Sequence, residues 1–141
     1  MEPIYFRLHP LVVHFPIALF VSAVILETAA LILRKESFHQ AAIYIYVLAA
    51  VMAPLAVYTG LEEVEHEHIK HPVADLHRNL ALGVMWTAFA SLPLLRVVYK
   101  RFAKYFRLAF MIFLLLLAGL VALTAYNGGR LVYEYGIGVE L

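Results

Sequence analysis

The sequence predicts an all-α integral membrane protein, a four-helix bundle built as a duplicated helical hairpin. Three observations carry this. The chain is 141 residues long and 64% hydrophobic, whereas soluble domains average nearer 45–50% apolar. The apolar residues are concentrated in four long runs separated by short polar stretches. About 20 such residues at 1.5 Å rise cross a ~30 Å hydrocarbon core, and in lipid a helix satisfies its own backbone.

The runs are Leu11 to Leu33, with Glu27 as its one charge, then Ala41 to Leu61, Leu80 to Leu95 and Leu108 to Tyr126, which have none. With their flanks they predict helices over about 10–33, 41–61, 73–96 and 107–126, then a glycine-rich segment over 127–141, all in a single transmembrane domain of residues 1–141. Met1-Glu2-Pro3 lacks the basic start of a cleavable signal. There is no cysteine, which removes disulfides, thioether-linked haem and thiolate-bound clusters. No basic stripe with interleaved aromatics suggests nucleic acid.

Orientation follows from lysine and arginine. Arg34 and Lys35 lie in the first loop, and Arg96, Lys100, Arg101, Lys104 and Arg107 in the third. Basic loops stay in the cytoplasm. Both termini and the middle loop of this multi-pass protein then face outward, into the periplasm if the membrane is a bacterial inner membrane. His9, His14, His66, His68, His71 and His77 all fall at that outer end, and His39 alone at the inner one.

The entries to helices one and three look alike. His9-Pro10-Leu11-Val12-Val13-His14 matches His71-Pro72-Val73-Ala74-Asp75-Leu76-His77 at an offset of 62 to 63 residues. Proline suits the first turn of a helix. His14 and His77 then fall about one turn in, with Ala18 and Ala81 four residues further on the same face. Two imidazoles at matched depth, with small neighbours, suit a b-type haem held by bis-histidine ligation. Interhelical hydrogen bonding is the simpler reading of the same histidines.

Other clusters suggest other chemistry. Glu62-Glu63-Val64-Glu65-His66-Glu67-His68-Ile69-Lys70-His71 has the donors for copper or zinc, with His66, His68 and His71 as ligands. The spacing matches no closed zinc motif, and a solvated acidic loop is the better explanation. Glu27, a carboxylate within a span, could carry a proton or face a quinone, or reach toward water. It lies roughly 220° around the helix from His14 at 100° per residue, so the two do not share a site. The tail Asn127-Gly128-Gly129-Arg130 onward could fold over the outer mouth as a lid or lie along the interface.

These motifs together resemble a bacterial family of small four-helix membrane proteins catalogued as a domain of unknown function. The resemblance rests on His9-Pro10-Leu11-Val12-Val13-His14-Phe15-Pro16-Ile17-Ala18-Leu19, on Tyr58-Thr59-Gly60-Leu61, on His77, and on Gly128-Gly129-Arg130-Leu131-Val132-Tyr133 through Gly136-Ile137-Gly138-Val139. It covers nearly the whole chain. Family members are similar in occurring beside Rieske and cytochrome proteins, which implies a redox setting. The resemblance marks His9, His14 and His77 as site residues. Tyr135 departs from it, standing where the family often has histidine.

The expectation is therefore a membrane electron-transfer subunit binding haem b through His14 and His77, with His9 and His71 nearby. It is an electron carrier rather than a stand-alone enzyme, and no catalytic residue is expected. Its partners would be the lipid bilayer, a quinone, and a Rieske or cytochrome protein on the outer face; a homo-oligomer is compatible. Copper or zinc handling and a non-catalytic accessory subunit are the alternatives.

Overall fold

The computed structural model describes residues 8–66 and 68–137. Among them are four helices and no strand: α1 (His9–Leu33), α2 (Glu36–His66), α3 (Pro72–Arg101) and α4 (Ala103–Tyr133). All four are long and apolar enough to cross a membrane. At 25 to 31 residues each, they outrun a ~30 Å hydrocarbon core and project from it or tilt within it.

Local chemistry sets the ends. Pro10 occupies the first turn of α1, and Arg34 closes that helix in the left-handed conformation at φ 54°. Pro72 opens α3, where the His71 ring accepts a hydrogen bond from the Val73 amide at 3.2 Å. Phe102 is the one residue between α3 and α4. These tight connections fold the chain into two antiparallel hairpins, α1–α2 and α3–α4. The start of α1, the end of α4 and the α2–α3 connection share one end of the bundle, and the two tight turns share the other.

Several expected boundaries shift outward: α2 begins at Glu36, α3 runs on to Arg101 and α4 begins at Ala103. The acidic, histidine-bearing stretch from Glu62 to His66 is the last part of α2 rather than a loop. Asn127, Gly128, Gly129 and Arg130 belong to α4, because tertiary packing overrides their weak helix propensity. The chain reverses only at Gly136, which takes φ 63°, and the Ile137 amide then bonds back to the Leu131 carbonyl at 2.8 Å.

The core runs along the middle of the bundle. On α2 it is a stripe of Ala42, Tyr46, Ala49, Ala50 and Ala53, and its small side chains let α1 approach closely. On α4 it is Phe106, Phe110, Leu114, Leu117 and Val121. Tyr46 joins the hairpins: its hydroxyl donates to the Ala88 carbonyl at 3.0 Å and lies 2.6 Å from Ser91 Oγ. Tyr46→Phe is expected to cost about 1 kcal/mol, read as unfolding in mixed micelles. The cost stays small because Ser91 keeps its own bond to the Ala88 carbonyl at 2.8 Å. Leu116, Ile32 and Trp86 are exposed on the outside of the bundle, as lipid-facing positions should be.

The hairpins are related by a repeat, but in a different register from the one expected. Buried positions recur 68 residues apart: Phe20 with Ala88, Ala23 with Ser91, Ala42 with Phe110, Tyr46 with Leu114, and Ala49 with Leu117. Bulk on one hairpin is often met by a smaller residue on the other. The offset of 62 to 63 followed the His-Pro entries, which are a capping signal local to each helix start. Packing preserves the buried stripe instead, and in that register His77 corresponds to His9, whereas His14 corresponds to Leu82.

Candidate functional site: two histidines across the hairpin seam

The repeat places one imidazole on each hairpin at the end where α1 begins and α4 finishes. His9 Nδ1 lies 3.0 Å from the Ala56 carbonyl of α2, and His77 Nδ1 lies 2.9 Å from the Thr124 carbonyl of α4. The two bonds span the same sequence separation, 47 residues. A carbonyl oxygen only accepts, so Nδ1 is the protonated nitrogen in both rings. In the neutral imidazole this leaves the lone pair on Nε2, the form that ligates a metal. Thr59 Oγ1, 3.3 Å from His9 Nδ1, adds a second contact on the first hairpin.

Each ring rests in a notch made by glycine. A Cβ on Gly60 would fall 2.9 Å from His9 Cε1, and one on Gly128 would fall 2.9 Å from His77 Cε1. Gly60 and Gly128 each follow the accepting carbonyl by four residues, and they too are 68 apart. The absence of a side chain is what lets the Nδ1–Cε1 edge of each imidazole come so close to its partner helix.

Between the hairpins lies a cleft that both rings line. It forms two lobes of about 200 and 420 Å³ that share His9, His77, Ala56 and Ala81. The smaller lobe reaches Glu63, Ile69, Arg78 and Ile137, so the reversed C-terminal turn forms part of its wall. The larger reaches Phe20, Ala53 and Tyr133. The lining is chiefly apolar, with the two imidazoles as convergent polar groups, as in small-molecule and cofactor sites.

The remaining expected site residues are placed as follows. His14 is exposed, and its ring bonds the Pro10 carbonyl of its own helix at the edge of the larger lobe. His71 caps α3, and its ring centroid lies 4.3 Å from that of Tyr135, whose hydroxyl accepts from Arg130 Nη2 at 3.1 Å. His66 ends α2, and His68 follows it in the left-handed conformation, exposed. Among the described residues no three His, Asp or Glu side chains converge to hold a metal ion. Glu27 belongs elsewhere, at the opposite end of the bundle, where it meets His39 at 2.6 Å.

Gly60 and Gly128 carried a usable signal, since each stands 51 residues after its histidine. Comparison with known proteins places the whole arrangement in one family. The chain belongs to the family described as predicted membrane protein (DUF2231), whose model matches residues 6–141. That match takes in both histidines, both glycines and both hairpins. No curated protein and no solved structure matches the chain.

Proposed function

We propose that this member of the family is a membrane electron-transfer subunit that binds a b-type haem in the cleft, with His9 and His77 as axial ligands. One observation carries the reading. Two imidazoles, one from each hairpin and in equivalent register, each commit Nδ1 to a helix carbonyl and lean on a glycine. A planar macrocycle needs a slot between helices and a ligand from each side. The seam between the hairpins offers the slot, and Ala53, Ala56 and Ala81 leave it unobstructed. His14, expected as the first ligand, serves the site better at its rim, because its exposed ring is engaged within its own helix.

Haem supplies a one-electron couple when bound. The chain's own residues do the rest: the Ala56 and Thr124 carbonyls orient the rings and fix their tautomer, and the apolar lining excludes water. The basic loops favour a bacterial cytoplasmic membrane with the cleft on the outer face. A quinol donor in the bilayer and a Rieske or cytochrome partner on that face would complete the electron path.

The test is a reduced-minus-oxidised spectrum of protein expressed with ample haem. A b-type band is expected, lost in His9→Ala and in His77→Ala and kept in His14→Ala. A colourless wild-type protein overturns the reading, and a band that depends on His14 rather than His9 reassigns the ligand.

A further inference from the structure

We propose that Glu27 and His39 form a proton-binding site at the end of the bundle that bears the basic loops, with Arg107 as a counter-charge that swings between this site and Glu36. The site is separate from the cleft and does not depend on what the cleft holds.

Glu27 is 0% exposed and His39 3%. Both sit on apolar helices long enough to span a membrane, where ionisable groups are costly to keep. His39 Nδ1 and Glu27 Oε2 are 2.6 Å apart. Two bare acceptors do not approach so closely, so at least one proton lies between them. With Nδ1–H donating to the carboxylate, the Nε2 lone pair of His39 can take a second. That proton comes from the aqueous phase and leaves by the same route, with no other bond made or broken. The two states differ by one charge inside a site walled by Phe106 and Phe110, whose rings lie 5.8 and 6.1 Å from the His39 ring.

Arg107 is poised between two carboxylates. Its Nε is 3.9 Å from Glu27 Oε1, and its Nη1 is 3.8 Å from Glu36 Oε2. Neither contact is a hydrogen bond. Glu27 Oε1 and Arg107 Nε and Nη2 are buried without a hydrogen-bond partner. A fixed clamp would have closed one of these contacts. An open one lets the guanidinium move toward Glu27 when the pair carries its negative charge, and toward exposed Glu36 when His39 is an imidazolium. The groups facing the site are Glu27 from α1, His39 and Glu36 from α2, and Arg107 from α4. From α3, Tyr99 meets Phe106 at 5.1 Å. Arg34, Lys35, Arg101 and Lys104 are exposed at the surrounding rim.

The experiment uses the full chain in lipid nanodiscs with ¹⁵N-labelled histidine, the His39 ring signals being assigned by their loss in His39→Gln. Lowering the pH across the range over which the fold survives should convert His39 from the Nδ1–H form to the doubly protonated form. Glu27→Gln should abolish that conversion, and Glu36→Gln should shift its midpoint. A wild-type His39 signal that never changes overturns the proposal and makes the cluster a static clamp. A conversion that persists unaltered in Glu27→Gln overturns it as well. The wild-type titration alone decides the matter if Glu27→Gln does not fold.

Discussion

Glu27→Ala is expected to destabilise the bundle by about 1–3 kcal/mol, the cost of leaving a buried polar group without its hydrogen-bond partner. The substitution leaves the His39 ring 3% exposed with no carboxylate to receive its Nδ1–H. It also leaves the partly exposed Arg107 guanidinium with Glu36 as its remaining carboxylate neighbour among the described residues. Unfolding in mixed micelles measures the loss. Glu27→Gln keeps an acceptor of the same shape and should cost less. Replacing Glu27, His39 and Arg107 together with leucine should recover much of the stability, because a well-packed apolar set avoids desolvating any charge. A cost of Glu27→Ala below about 1 kcal/mol would mean that water reaches the site and screens it.

The second large effect is at the glycine notches. Gly60→Ala and Gly128→Ala are each expected to cost about 1–3 kcal/mol, the range for overpacking a filled site. The new methyl would meet an imidazole carbon at 2.9 Å. That ring can retreat only by giving up its bond to the Ala56 or Thr124 carbonyl. Gly119→Ala is the control, since nothing lies within 4 Å of its added Cβ, and it should be neutral or stabilising by up to about 1 kcal/mol. Equal behaviour at all three glycines would show that the rings are not held in the notches.

The two hairpins, their tight connections and the grouping of histidines at one end were legible in the sequence, because apolar length and charge placement act over whole segments. The register between the hairpins was not. Identical dipeptides such as His9-Pro10 and His71-Pro72 draw the eye, yet they report only how a helix starts. The correct register lies in dissimilar pairs, Phe20 with Ala88 or Ala42 with Phe110, which match in position and not in kind. His39 was noted only for being apart from the others. Its meeting with Glu27 depends on how α1 and α2 turn about their connection, which composition does not encode. The glycine-rich stretch after Tyr126 read as a tail on propensity, but His77 against Gly128 keeps it helical and in the bundle.

That the two imidazoles lining the cleft come from different hairpins has a consequence for biogenesis. α1 and α2 leave the ribosome first and can enter the bilayer as a finished pair, with His9 already bonded to Ala56. The cleft does not exist at that stage, because its other wall has not been made. It forms only when the second pair comes to rest beside the first. A ligand that touches both imidazoles can therefore be held only once the two halves have met.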